Sequence, residues 1–131
     1  MSDKPRATFM PELHLPSGTF DISFYTNAFG AVVLRRFDNE DGSVHAAEMS
    51  IDGAMFILHE ENTAKGKLTP SQCKGSTTTI GLLVDDTDSM MARAIAAGAK
   101  AIMPATTYEY GYRQGDILDP FGHQWTIEMF V

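Results

Sequence analysis

The chain has 131 residues, 44% hydrophobic and 21% charged, which fits one compact unit with a real core and excludes two ordinary globular domains. Its 17 acidic and 10 basic residues leave a net charge of −7 with no Lys/Arg cluster to offset it, which argues against nucleic acid or anionic lipid as a partner. No run of about 18 apolar residues appears, the opening MSDKPRATFMPELH lacks a segment of signal-peptide length, and the lone Cys73 has no intrachain disulfide partner, so a soluble cytoplasmic protein is expected.

Apolar residues alternate through FMPELHL (9–15), which predicts a first strand. SGTFDISFYTNAFGA then places Phe20, Phe24, Tyr25, Ala28 and Phe29 at helical spacing, with Ser17 or Thr19 as the N-cap and Gly30 as the stop. VVLRRFDNEDGSVHAAEM reads as two strands around an Asp41-Gly42 turn, and AEMSIDGAMFIL (47–58) continues through a second hairpin turn at Asp52-Gly53. ENTAKGKLTPSQCKGST (61–77) has almost nothing to bury and reads as a surface connection, with Cys73 an incidental thiol. TTTIGLLV predicts another strand. DDTDSMMARAIAAGA predicts a helix capped by Asp86, stopped by Gly98 and burying Met90, Met91, Ala94 and Ile95, and strands then run to Val131.

The order repeats. AFGAVV (28–33) aligns with AAGAKA (96–101) at an offset of 68, and the turn glycines Gly53 and Gly122 align at 69. A fixed offset near half the length implies two copies of one βαβββ module. The expectation is a single α+β domain over residues 1–131, with module one at about 8–60, a linker at about 61–76 and module two at about 77–131.

Each strand can be split into two rows, because alternate residues share a face. Leu13, Leu15, Phe56, Leu58, Ile80, Leu82, Trp125, Ile127 and Met129 form apolar rows that must pack on the two helices. The opposite rows hold Met10, Glu12 and His14; Met55, Ile57 and His59; Thr79 and Gly81; and Gln124, Thr126 and Glu128. They are mainly apolar with a few polar groups, the composition of a small-molecule cleft rather than of a solvated sheet face. Burial of this row against the other module or a partner chain is the alternative.

In TTYEYGYRQGD (106–116), three tyrosines at two-residue spacing followed by an arginine can form an aromatic wall with a cationic end. Tyr110, Tyr112 and Arg113 are therefore candidates to line a site for a flat or anionic ligand. A twisted edge strand with its tyrosines covering core is the competing account. Arg35 and Arg36 lie in RRFDNED, where hairpin salt bridges suffice, and His45 and His123 read as hydrogen-bonded structural histidines.

FYTNAFGA, HAAEMSIDGAMFIL, VDDTDSMMARAIAAGA and DPFGHQWTIEM together resemble the vicinal-oxygen-chelate superfamily: glyoxalase I, bleomycin-resistance proteins, fosfomycin-resistance enzymes and extradiol dioxygenases. GYRQGDILDPFGHQW is most similar to its PhnB-like branch. The resemblance implies curled, mostly antiparallel sheets forming a half-barrel, helices on the outer face, and a homodimer. It also implies metal ligands, typically His and Glu, on the first and last strand of each module. Carried onto this chain, those positions fall on Met10, Ile57, Thr79 and Thr126, which suit no hard or borderline divalent ion.

The expected function is therefore binding of a small molecule in the half-barrel cleft, with no metal or other cofactor. The alternative is a divalent-metal-dependent lyase, transferase or dioxygenase using a displaced set of Glu12, His14, His59 and Glu128, all on the cleft row. Metal-free acid/base chemistry by His14, His59 or a tyrosine is a third possibility, which no motif specifies.

Overall fold

Alternation, glycine stops and the internal repeat translate directly into structure in a computed structural model that describes residues 6–131; the first residues of the opening segment, on which the expectation of no leader rests, lie outside the described residues. Module one runs β1 (Glu12–Leu15), α1 (Ser23–Phe29), β2 (Val32–Asp38), β3 (Val44–Ile51) and β4 (Ala54–Glu60). A 3-10 turn (Thr63–Lys65) and a short helix α2 (Pro70–Cys73) connect it to module two, which runs β5 (Thr79–Leu83), α3 (Thr87–Ala96), β6 (Lys100–Tyr108), β7 (Tyr112–Leu118) and β8 (Gln124–Phe130). No helix among the described residues is long and apolar enough to cross a membrane.

Each module forms a four-stranded sheet, ordered β1-β4-β3-β2 and β5-β8-β7-β6. The first strand of each module pairs parallel with its last, and the other pairs are antiparallel. Register makes the repeat quantitative. Glu12 stands opposite Ile57, and Gly81 opposite Thr126. Both differences, 81 − 12 and 126 − 57, equal 69, the offset of the turn glycines, so Met10 and Thr79 are repeat mates.

The first strand is shorter than its alternation suggests. Pro11 has no N–H to continue the ladder, although its carbonyl still accepts from Ile57 N at 2.8 Å, so Met10 lies just before β1. Helix α1 also starts later than its apolar spacing suggests. Ser17 and Thr19 do not cap it: Thr19 Oγ1 donates to the Pro16 carbonyl at 2.6 Å and Ser17 N donates to Glu61 Oε2 at 2.8 Å. Asp21 Oδ1 instead accepts from Ser23 N at 2.8 Å, an Asx turn leading into the helix. Phe20 consequently precedes the helix and is 54% exposed rather than buried. Gly30 ends α1 at φ 68°, the left-handed stop its position promises.

Asp86 caps α3 by accepting from Ser89 N at 3.1 Å. The buried stripe of α3 is Thr87, Met91 and Ala94, at i, i+4 and i+7, with Met90 on its flank. Ile95 falls beyond that stripe and is 47% exposed, contrary to the sequence expectation. The connecting segment is mostly at the surface, but Thr69 and Pro70 are buried, with Gln72 Oε1 accepting from Thr69 N at 2.9 Å across the first turn of α2.

One continuous core spans both modules. Leu13, Leu15, Phe56, Leu58, Trp125 and Ile127 all belong to it, as the row analysis requires, while Met129 is half-buried. Helix α1 packs against α3. Phe29 lies 4.8 Å from the Trp125 ring centroid, and Tyr25 lies 5.6 Å from that of Phe56. The buried Asp119 carboxylate joins the halves, accepting from Tyr25 Oη at 2.6 Å, Trp125 Nε1 at 3.0 Å, Phe121 N at 2.9 Å and His123 N at 3.0 Å. His123 is hydrogen-bonded as its sequence context suggests: its Nε2 lies 2.9 Å from the His14 carbonyl oxygen and ties β8's entry turn to β1, at the wall of the space between β1 and β5.

Candidate functional site

Strand register decides which side chains share the face away from the helices. In module one, Glu12 stands opposite Ile57 and His14 opposite His59, while Glu48 and Ser50 of β3 face Ile57 and Met55. In module two, Thr79, Gly81 and Leu83 stand opposite Gln124, Thr126 and Glu128, which face Leu118, Asp116 and Gln114 on their other side. The last rung pairs Phe130 with Tyr112. All these residues are half-buried or exposed, whereas their sequence neighbours on β3, β4 and β8 are largely buried, so the two rows separate as expected.

A cavity of about 750 Å³ lies between β1 and β5 and is lined by Met10, Glu12, His14, Thr79 and Gly81, with Thr69 and Cys73 from the connecting segment. A second, of about 430 Å³, is lined by Met10, Met55, Gly81 and Trp125. The fold thus brings together the first-strand candidates of both modules. Ile57, His59, Tyr110, Tyr112, Gln124, Thr126 and Glu128 lie on the sheet faces outside these two cavities.

Polar groups on the module-two face are linked to one another. Thr126 Oγ1 donates to Asp116 Oδ1 at 2.6 Å, Gln114 Nε2 donates to Glu128 Oε1 at 2.6 Å, and the Tyr110 hydroxyl donates to Gln114 Oε1. Local desolvation, and then the neighbouring Tyr108, Glu128 and Asp116, raise the Tyr110 hydroxyl above its ordinary pKa. Tyr108 stacks on Tyr110 with centroids 5.2 Å apart, Tyr110 meets Tyr112 at 5.8 Å, and Tyr112 meets Phe130 at 5.1 Å. The aromatic wall exists.

Its cationic end does not. Arg113 alternates with Tyr112 and Gln114, so it points to the helix side of β7 together with Gly115 and Ile117. There its Nε and Nη2 donate to Asp88 of α3 at 2.7 and 2.9 Å, and its Nη1 donates to Thr107 at 2.9 Å. That hydrogen bonding holds the Asp88 carboxyl below the usual carboxylate range. Arg113 is thus a strut between α3 and the sheet, and it leaves the candidate lining.

On module one, Arg35 pairs with Glu48 at 2.5 Å and Arg36 with Asp38 at 2.6 Å, consistent with a salt-bridged hairpin. His45 Nδ1 lies 2.7 Å from Glu60 Oε1, and this hydrogen bond lowers the Glu60 pKa. The His14 and His59 rings are 6.3 Å apart, centroid to centroid. Burial lowers the His14 pKa; Glu12 acts in the opposite sense, and Lys67, His59 and His123 add to the lowering.

Asp116 and Gln114 are further members of the mixed row, where two-residue alternation in YRQGD places them, and Glu48 stands on the module-one row, on the face opposite His45.

A family profile described as Glyoxalase/Bleomycin resistance protein/Dioxygenase superfamily matches residues 21–127. The chain belongs to this superfamily. An uncharacterized protein of Mycobacterium bovis is 35% identical over 120 residues, covering 89% of this chain and 79% of the relative. Among solved structures, a gene product of Arabidopsis thaliana superposes with a TM-score of 0.70 at 23% identity, over 94% of this chain and 98% of its own. The fosfomycin resistance protein FosX of Listeria monocytogenes does so with a TM-score of 0.70 at 14% identity, over 98% of this chain and 96% of its own. At these identities the likeness establishes the fold, the glyoxalase/bleomycin-resistance architecture of two mixed sheets.

The residues onto which the resemblance carries the metal ligands do not suit a hard or borderline divalent ion. Met10, Ile57, Thr79 and Thr126 offer a thioether, an alkyl chain and two neutral hydroxyls, and the Thr126 hydroxyl is already directed to Asp116. Within one chain the displaced set is not gathered either. Glu12, His14 and His59 are neighbours on module one, but Glu128 belongs to the other sheet beside Leu83 and Gln114. Among the described residues, no three His, Cys, Asp or Glu side chains come together in a metal-binding group.

Proposed function

We propose that this superfamily member binds a small amphipathic molecule against its mixed sheet faces, in a half-barrel completed by a second copy of the chain, without the divalent ion used by its metal-dependent relatives. What supports this reading is that the positions onto which the resemblance carries the ligand set hold Met10, Ile57, Thr79 and Thr126, related by the 69-residue repeat that the strand register also follows at Glu12–Ile57 and Gly81–Thr126. Rows of Met, Ile, Leu, Thr and aromatic residues with a few directed polar groups supply what sequestration needs: shape, apolar contact and anchors. The PhnB-like branch, suggested by GYRQGDILDPFGHQW, is the placement this reading favours, and the lone Cys73 suits a reducing cytoplasm.

Support for the second copy comes from the sheet edges. Strands β2 and β6 each form one edge of their sheet, opposite β1 and β5. They expose Val32, Leu34 and Phe37 on one edge and Ile102 and Met103 on the other, apolar edges that a partner would cover.

The test is elemental analysis of protein purified without added metal, sedimentation velocity, and titration with the neutral probe N-phenyl-1-naphthylamine with and without EDTA. A dimer with no stoichiometric divalent ion and chelator-insensitive probe binding is expected. A stoichiometric bound ion would overturn the metal-free reading and turn attention to metal-dependent chemistry.

A further inference from the structure

The face of module two has an uneven hydrogen-bond inventory. Three of its side-chain donors beside the carboxylates are turned onto its own acceptors: Tyr110 Oη to Gln114, Gln114 Nε2 to Glu128 Oε1, and Thr126 Oγ1 to Asp116 Oδ1. Among the described residues no donor reaches the second oxygen of either carboxylate, and neither Asp116 nor Glu128 has a cation within ion-pair distance. The charged groups that this part of the face offers a visitor are therefore the carboxylates of Asp116 and Glu128, each with one oxygen that accepts from no neighbour among the described residues.

One of those oxygens lies over a strand glycine. Gly81 stands beside Glu128 without a side chain, and a Cβ there would lie 2.8 Å from Glu128 Oε2. Flanking the carboxylates is the run Tyr108, Tyr110, Tyr112 and Phe130, with Tyr110 63% exposed. Arg113, which would have made this wall attractive to an anion, is bound to Asp88 on the far side of the sheet. Lys100 on this face stands opposite Leu118, two residues along β7 from Asp116 and six from Tyr112, so roughly 7 Å and 20 Å along the strand, and it makes no ion pair with either carboxylate. Aromatic rings with carboxylates that no cation pairs match a flat cation, which gains from ring stacking and from charge-assisted hydrogen bonds together.

We propose that the Tyr108–Tyr112 and β7–β8 face of module two binds a planar, cationic, hydrogen-bond-donating molecule of the aryl-amidinium class, its ring on the tyrosine wall and its N–H groups on Glu128 and Asp116. This rests on the small-molecule reading above and reverses the ligand charge that the sequence alone suggested.

An isosteric series tests it: 2-naphthamidine, 2-naphthamide and 2-naphthoate are cationic, neutral and anionic at pH 7.5. Each is titrated into the full chain by calorimetry, with backbone amide NMR shifts locating the site. The amidine binds about ten- to a hundredfold more tightly than the amide, and the carboxylate most weakly. Glu128→Gln and Asp116→Asn each remove about tenfold of the amidine's advantage and leave amide binding in place, in variants whose thermal unfolding confirms a folded chain. Equal affinity across the series, tightest binding of the naphthoate, or an advantage unaffected by both substitutions overturns the proposal. So does the absence of binding by all three, the result if a second copy covers this face. The small-molecule reading stands or falls separately, on the neutral naphthylamine probe and the metal content.

Discussion

Tyr25 and Asp119, 94 residues apart, meet at 2.6 Å in the buried seam between the modules. The same Asp119 oxygen also accepts from Trp125 Nε1 at 3.0 Å, while its other oxygen takes the backbone N–H groups of Phe121 and His123. Burial, and then the adjacent carboxylate, push the Tyr25 hydroxyl well above its ordinary pKa, so it is a permanent donor. Four donors on one carboxylate satisfy a charge that would otherwise be costly to bury. Tyr25→Phe removes one donor and is expected to cost about 1–3 kcal/mol of stability. Asp119→Ala, which strands both the Tyr25 hydroxyl and the Trp125 indole N–H, costs more. Urea unfolding midpoints measure both, and a Tyr25→Phe midpoint equal to that of the parent would mean that this bond carries no net stability.

Two strand glycines should respond oppositely to the same substitution. A Cβ on Gly115 would lie 2.8 Å from Met91 Cε, 3.0 Å from its sulfur and 3.1 Å from the Ala105 backbone nitrogen, inside the packed layer between β7 and α3. Overpacking there by Gly115→Ala is expected to cost about 1–3 kcal/mol. On Gly81 the conflict is with the free end of the flexible Glu128 side chain, which can swing away. Gly81→Ala should leave the unfolding midpoint nearly unchanged and weaken amidine binding by displacing Glu128. Equal destabilisation by the two variants would contradict this division between a packed face and an open one.

The rows that define the cleft were legible because a strand's period of two is a local property, and Gly53 and Gly122 fixed the repeat that set the register. The same period separates Arg113 from Tyr112, but two-residue spacing across TTYEYGYR does not show that the strand breaks after Tyr108 and restarts at Tyr112. The start of α1 was misjudged because Ser, Thr and Asp all occur within five residues, and the choice of Asp21 depends on Thr19 and Ser17 being engaged by Pro16 and Glu61. The role of Asp119 was not legible at all. Its partner Tyr25 comes from the other module, and no local pattern reports a contact across 94 positions.

The direction of Arg113 yields a test of its own. Bound to Asp88 and Thr107 on the helix side, it should contribute nothing to ligand affinity. Arg113→Gln is expected to leave the affinities of the naphthalene series within twofold of the parent values, a small change on the scale of one charge-assisted bond. Its effect should appear instead as looser anchoring of α3, read as faster amide hydrogen exchange around Thr87–Met91. A selective loss of naphthoate binding in this variant would restore the arginine to the site.

His14 gives the acid response of the β1–β5 cavity a definite sign. Burial lowers its pKa in the folded chain, with Lys67, His59 and His123 adding to that lowering and Glu12 opposing it. Between the unfolded value near 6.5 and the lower folded value, the unfolded chain binds more protons. Stability therefore rises with pH through that window, and the penalty is complete below the folded value. His14→Gln, which keeps a neutral polar side chain, should flatten this part of the profile. The comparison is of thermal midpoints of parent and variant at pH 7.5, where they should differ little, and at pH 5, where the variant should lose less. A parent midpoint that rises on acidification through this range, or a variant whose profile runs parallel to that of the parent, would remove His14 as the source.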